Sequence, residues 1–288
     1  MLSYRHAFHA GNFADVLKHS VLTLILDYMT RKEKGFSYID SHAGAGMYQL
    51  SDNYAQKTGE YKQGIAKLIN NTDIPEELSG YIALIQQINN INSSNVKTGS
   101  AQLNLYPGSP GIAKQILRRQ DNAHLFDLHP TDFNLLTELC QRWKKTFVKQ
   151  SDGYQGVLAL VPPPSRRAVV LIDPPYELKE DYSKAVKTII KAYQKFATGT
   201  YILWYPVVKR ALVNNMEQGF INSAVKNVLQ VELCLSADTD EYGMTGTGLF
   251  IVNPPWQLAN QLEVILPYLK DKLGNQQTSF CLQQLINE

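Results

Sequence analysis

Residues 168–176, Ala-Val-Val-Leu-Ile-Asp-Pro-Pro-Tyr, constrain this chain more than any other stretch. Five consecutive apolar residues without polar alternation read as a strand buried on both faces, the condition of a parallel sheet covered by helices. The acid, the two prolines and the aromatic follow where that strand ends, and in open α/β sheets ligands bind at that end. Pro174 and Pro175 have fixed φ and no amide hydrogens, so they stop the ladder and hold Asp173 and Tyr176 in a stiff turn. A rigid carboxylate, a free carbonyl and a ring suit a flat heterocycle that carries an exocyclic amine. The heterocycle would stack on Tyr176 while Asp173 and the Pro174 carbonyl accept the two amino hydrogens. Such an amine is a poor nucleophile because its lone pair is delocalised, and two fixed acceptors favour the pyramidal form that attacks. The same four residues also read as a strand followed by an ordinary Pro-Pro turn, so the surrounding pattern has to decide.

Strands and helices alternate along the rest of the chain. Strand-like runs at 36–40, 124–127, 146–150, 200–206, 228–233 and 248–253 join the central one, and helical spacing at 181–197, 207–219 and 257–273 separates or follows them. Seven strands in this arrangement predict a doubly wound α/β sheet. A helix precedes the first strand, with Val16, Leu17, Val21, Leu24, Ile25 and Tyr28 on its apolar face and Asn12 at its N-cap. Residues 51–104 are rich in Asn, Gln and Ser yet keep apolar residues at helical spacing, which predicts a small helical insertion in a domain made of 1–50 and 105–288. The crossover helix after it is expected to start at Ser109-Pro110, with Ser109 as N-cap, and to run to Arg118 and Arg119.

The strand ends carry the chemistry. Ser41-His42-Ala43-Gly44-Ala45-Gly46 after the first strand lets a ligand approach the backbone, but it lacks the third glycine of a dinucleotide fingerprint and the Gly-Lys-Ser/Thr of a P-loop. Asp127 ends the second strand, where nucleotide folds place a carboxylate on ribose hydroxyls, and Asp152 after the third could accept from an adenine amino group. A second Pro-Pro-aromatic motif, headed by an amide, Asn253-Pro254-Pro255-Trp256, follows the seventh strand, and either copy could react; the order of the other turns puts the reacting group after the fourth strand, which leaves Asn253 as a structural turn. His6, His9 and His19 share a short span, but no acid completes a recognisable metal set, and Lys18 and His19 read as cationic or hydrogen-bonding groups for a ligand.

Composition narrows the class further. With 44% hydrophobic and 19% charged residues among 288, the chain is a globular protein without a disordered signature. Cys140, Cys234 and Cys281 are widely spaced, which suits a reducing compartment and argues against a disulfide scaffold. Neither a signal-peptide h-region nor a membrane-spanning apolar run is present, so a cytoplasmic location is expected. A net charge of +2 permits a nucleic-acid partner without requiring one.

The order of these turns resembles the class I S-adenosylmethionine-dependent methyltransferases, in which acid-Pro-Pro-aromatic after the fourth strand marks amino methylation. Tyr4-Arg5-His6 through Lys18-His19, Asp40 to Gly46, Tyr106-Pro107-Gly108-Ser109-Pro110, Leu128-His129-Pro130, Asp152-Gly153, Ile172 to Tyr176, Trp204-Tyr205-Pro206 and Asn253 to Trp256 are similar to the bacterial large-subunit (23S) ribosomal RNA adenine-N6 methyltransferase family, RlmJ. The resemblance runs nearly end to end and is weakest in the insertion and the last fifteen or so residues.

The resemblance implies a Rossmann-like fold and a pocket for S-adenosylmethionine lined by His19, His42, Ser109, Asp127, Asp152, Gly153 and Asp173. Asp173, with Pro174 and Tyr176, would be catalytic, and Tyr4 and Lys18 would meet the RNA substrate. Where family members carry Glu-Leu-His-Pro, this chain has Asp127-Leu128-His129-Pro130, an acid one carbon shorter. The expected enzyme is a monomer that acts by direct methyl transfer on 23S ribosomal RNA in protein-free or early assembly form. Arg118, Arg119, Arg142, Lys144, Lys145, Arg166 and Arg167 are candidates to meet its phosphates. DNA adenine-N6 methylation, or DNA binding connected with use of external DNA, is the alternative.

Overall fold

The computed structural model describes residues 5–91, 102–239 and 243–288. Its strands in chain order are β1 (Ser37–Asp40), β2 (Met47–Gln49), β3 (Leu105–Pro107), β4 (Asn122–Phe126), β5 (Thr146–Lys149), β6 (Ala168–Ile172), β7 (Thr200–Val207), β8 (Val228–Cys234), β9 (Gly246–Val252) and β10 (Ser279–Ile286). The α-helices are α1 (Phe13–Thr30), α2 (Asn53–Thr58), α3 (Glu76–Ile88), α4 (Ser109–Ile116), α5 (Pro130–Cys140), α6 (Gly153–Leu160), α7 (Lys179–Lys195), α8 (Arg210–Ile221) and α9 (Leu258–Leu273).

Eight strands form the central sheet in the order β10-β8-β9-β7-β6-β1-β4-β5, and β2 and β3 make a separate two-stranded ribbon. The expected count of seven is thus exceeded. The strand beyond it, β10, pairs antiparallel with β8 at the sheet edge, and its exposure runs in pairs of residues rather than alternating singly. That leaves no period-two signal to read. β5, β4, β1, β6 and β7 are mutually parallel, whereas β9 runs antiparallel to β7 and β8. All five residues of β6 are buried, as the unbroken apolar run requires.

The chain leaves β1 toward β4 on one side and later returns to β6 on the other, which makes the gap between β1 and β6 a topological switch point. α1 lies across one face of the sheet. Its cap is the expected one, with Asn12 Oδ1 accepting from the Asp15 amide at 3.0 Å. Leu17, Val21, Leu22, Ile25 and Leu26 are fully buried, and each contributes roughly 1.5–3 kcal/mol by removal from water.

The insertion is helical at α2 and α3, with 3-10 turns at Glu60–Gln63 and Ile65–Lys67 between them. Leu68, Leu78, Tyr81, Ile82 and Ile85 join the hydrophobic cluster of α1, so the insertion shares that core instead of enclosing its own. The crossover helix differs from expectation at both ends. Gly108 is its cap residue, Ser109 is its first helical residue, and it stops at Ile116, short of Arg118 and Arg119.

Candidate active site

Asp173 follows β6 directly, and its Oδ2 accepts from Lys18 Nζ at 2.7 Å. Lys18 reaches it from α1, where Asp15 sits one turn earlier and holds the same ammonium at 2.9 Å. The Trp204 ring lies beneath, its centroid 5.3 Å from Nζ. Burial alone would lower the Lys18 pKa, but Asp15 and Asp173 outweigh it and hold the ammonium well above its ordinary value. Asp15 is itself buried, which by itself favours the neutral acid; His6, Lys18 and His19 overcome that and keep it well below the usual carboxylate range. Its Oδ2 accepts from His6 Nε2 and from the Gly11 amide, both at 2.9 Å. Lys18 is therefore buried under the Asp173–Tyr176 loop and not on an outer surface that could meet an RNA backbone. Tyr4, the other expected RNA contact, lies outside the described residues.

Tyr176, which the sequence offers as a stacking platform, is held in place from three sides. Its backbone is left-handed at φ 52°, and its hydroxyl donates to the Trp204 carbonyl. The ring packs against Tyr182 at 4.4 Å and meets the edge of Trp204 at 5.8 Å.

β1 ends in Asp40, which is fully buried and accepts from Tyr38 and Ser109 hydroxyls, each at 2.7 Å. Burial pushes its pKa up to about 6, against the hydrogen bonds that favour the charged form. Ser109 therefore serves Asp40 and is not the helix cap. After Asp40 the chain turns at Gly44, whose φ of 60° and closeness to the Tyr48 hydroxyl exclude a side chain. The Gly44 amide donates to Asp127 Oδ2 at 2.8 Å, and the His129 amide donates to Oδ1 at 2.7 Å. Burial raises the Asp127 pKa despite those two bonds.

Two histidines are held neutral. Burial pushes His42 down to about 4 and His19 to about 3. His42 Nδ1 is paired with the Ser41 hydroxyl at 2.7 Å, and His19 Nδ1 with the Tyr106 hydroxyl at 2.8 Å. Asp152 does not stand as a free acceptor: Oδ1 caps α6 through the Tyr154 and Gln155 amides, and Oδ2 takes Lys184 Nζ at 3.2 Å. Gly153 is buried outside the cleft lining, and a Cβ there would sit 1.8 Å from the Ser41 carbonyl oxygen.

Two cavities result. The first lies over the carboxyl ends of β1, β4 and β6, and its walls include His19, His42, Ser109, Asp127, Asp152 and Asp173. The second opens beside it, walled by Tyr176 and Trp204 on one side and by Thr58, Gly59 and Glu60 of the insertion on the other. Asp173, Pro175, Lys18 and His6 line both, so the loop after β6 stands at their junction. Asn253 is remote from it. Because β9 is antiparallel to β7, Asn253 falls at the opposite end of the sheet, where its Nδ2 donates to the carbonyls of Ala197 and Gly199 at 2.8 and 2.7 Å.

Sequence reasoning assigned no site role to Asp15, Asp40, Trp204 or Lys184, although the first three lie within the motifs that carry the family resemblance. A signal for Asp15 existed, since Asp15, Lys18 and His19 occupy one helix face at three- and four-residue spacing. Nothing local announces Lys184, which reaches Asp152 across 32 residues.

An open sheet of this strand order, with its cavity at the switch point and its glycine turn beside a strand-end carboxylate, is that of a class I methyltransferase, Rossmann-like in architecture. Residues 33–286 match the model of the family described as ribosomal RNA large subunit methyltransferase D, RlmJ, and the chain belongs to that family. It is 48% identical over 273 residues to the ribosomal RNA large subunit methyltransferase J of Haemophilus influenzae, covering 95% of this chain and 94% of that one. The protein of the same name from Escherichia coli is 46% identical over the same shares. Among solved structures, protein LPL1258 of Legionella pneumophila superposes with a TM-score of 0.87 at 38% identity, covering 96% of this chain and 98% of the other.

Proposed function

We propose that the chain transfers a methyl group from S-adenosylmethionine to the N6 atom of one adenine in large-subunit ribosomal RNA. Family membership and the named relatives support methylation of ribosomal RNA. The observation that carries the finer reading is the junction of the two cavities at Asp173, Pro175, Lys18 and His6, which would bring a donor in one beside an acceptor in the other.

The first cavity suits the donor. The Tyr154 hydroxyl in its wall is buried without a hydrogen-bond partner among the described residues, so the wall holds a polar group that a polar ligand would satisfy. Asp127 is the residue to meet ribose hydroxyls, with the Gly44 turn allowing close approach, while Asp152 and the start of α6 face the adenine. When bound, S-adenosylmethionine supplies a methyl group on a sulfonium sulfur, an electrophile that requires no covalent enzyme intermediate.

The second cavity receives the target base. Lys18 occupies Asp173 Oδ2, which leaves Oδ1 and the Pro174 carbonyl to accept the two amino hydrogens. The rigid loop sets the amine toward the first cavity, so catalysis is positional and electrostatic. The base has to leave its stack to enter, at a cost of roughly a few kcal/mol that is lower in a loop or bulge. Nucleoside analysis after incubation of wild-type protein with labelled S-adenosylmethionine tests the reading. It expects N6-methyladenosine from an unmodified large-subunit ribosomal RNA transcript and none from DNA of matched sequence. Label on another base, or on DNA alone, overturns it.

A further inference from the structure

At the end of the sheet opposite Asp173, α4, the loop between α5 and β5 and the first residues of β4 and β5 enclose a groove of about 600 Å³. Lys114, Arg119, Arg142, Lys144 and Lys145 line it, all exposed. Among the described residues none of these five forms an ion pair, and together they exceed the formal net charge of the whole chain, +2. The one acid in the lining among the described residues, Asp121, is buried and spent on Arg118 at 2.9 Å. Arg118 in turn donates to the carbonyls of Thr30 and Lys32, so it fastens the loop after α1 and is not available to a ligand. Arg167 is likewise spent on the carbonyls of Met29 and Lys34.

Like charges gathered without acids repel one another and weaken the fold locally, a cost that a bound polyanion removes. The groove also holds Trp143, half-buried with Lys114 Nζ 5.7 Å from its ring, and Asn122, whose Oδ1 is buried with no hydrogen-bond partner among the described residues. Cations spread along an open groove fit successive phosphates better than one, and an orphaned acceptor beside them suits a donor such as a ribose hydroxyl.

We infer that this groove binds the phosphodiester backbone of the RNA substrate at a point remote from the methylated base. The inference rests on the proposed reaction for the identity of the substrate. A contact so far from Asp173 is made equally before and during methyl transfer, so it acts on RNA affinity and KM and leaves kcat alone. It also sets part of the salt dependence, about 0.9 in the log–log slope for each phosphate neutralised on a duplex.

The test compares wild type with the triple variant Arg142→Ala, Lys144→Ala, Lys145→Ala, using a large-subunit ribosomal RNA transcript. Binding is measured over a salt series, and methyl transfer at saturating RNA. The groove predicts that Kd and KM rise at least tenfold at low salt and that the slope becomes shallower by about two to three, with kcat and S-adenosylmethionine affinity unchanged. Charge reversal by Lys144→Glu with Lys145→Glu should weaken binding further, while Arg142→Lys should retain it. Wild-type RNA affinity and slope in the triple variant would overturn the inference, as would a loss of kcat at unchanged affinity. A wild-type protein that binds the transcript yet transfers no methyl would sink the proposed reaction, and the salt slope would still decide the groove. Failure of the wild type to bind RNA would overturn both.

Discussion

Lys18 Nζ lies 2.7 Å from Asp173 Oδ2 and 2.9 Å from Asp15 Oδ1, a single buried ammonium shared between a helix carboxylate and the loop after β6. The pairing joins α1 to the end of β6 and leaves Asp173 Oδ1 as the oxygen that Lys18 does not hold.

Replacing Lys18 with Met would keep much of its length and leave two acids without their cation. Removing one partner of a buried pair typically costs about 3–5 kcal/mol. Lys18→Met should lower thermal stability by that order and slow methyl transfer by about a hundredfold or more in single-turnover assays. Wild-type stability together with wild-type rate would show that the ammonium has neither role.

Asp40 gives the pH dependence of stability a defined sign. Its folded pKa of about 6 lies above the ordinary 3.8, so between those values the folded state binds a proton that the unfolded state does not. Stability from this group is complete below pH 4 and is lost as pH rises through 6, by up to about 3 kcal/mol. Urea unfolding from pH 4 to 7 should show this fall in wild type relative to Asp40→Asn. Parallel curves for the two proteins would contradict the assignment.

Gly153→Ala should destabilise by about 1–3 kcal/mol or more, because the new methyl would collide with the Ser41 carbonyl and push α6 away from the glycine-rich turn. Since that turn leads to Gly44 and Asp127, affinity for S-adenosylmethionine should fall as well. Calorimetric titration of the variant checks this, and unaltered affinity would separate the contact from the donor cavity.

The two Pro-Pro motifs predict opposite phenotypes. Asn253→Ala removes two hydrogen bonds to carbonyls and places alanine at φ 51°, so stability should drop by about 1–3 kcal/mol while methyl transfer below the unfolding transition stays near wild type. A specific loss of activity in folded Asn253→Ala protein would mean that the second motif takes part in the reaction.

How much of this was legible in the sequence depends on how local the causes are. β6 and the Asp173 loop are readable because burial on both faces writes an unbroken apolar run and proline writes its own backbone angles. Asn12 is readable for the same reason, since a cap acts within three residues. Ser109 is not: its spacing before Pro110 fits a cap, but the Asp40 carboxylate, distant in sequence, claims its hydroxyl. Asp152 is legible only in part: its place in the wall of the first cavity follows from the strand end, its capping of α6 is local, and its ion pair with Lys184 is a tertiary contact that the sequence does not announce. The basic clusters divide in the same way, for Arg118 and Arg167 tie loops together while Arg142, Lys144 and Lys145 stay exposed. β10 escapes because its exposure at the sheet edge carries no clear period.

The most direct measurement is single-turnover transfer of labelled methyl from S-adenosylmethionine to an unmodified large-subunit ribosomal RNA transcript, comparing wild type with Asp173→Ala after confirming that both are folded and bind the donor. Transfer to adenine N6 by the wild type, reduced at least a thousandfold in the variant, is the expected result. Equal transfer by the two proteins would remove Asp173 from the reaction and with it the junction of the cavities as the place where methyl passes.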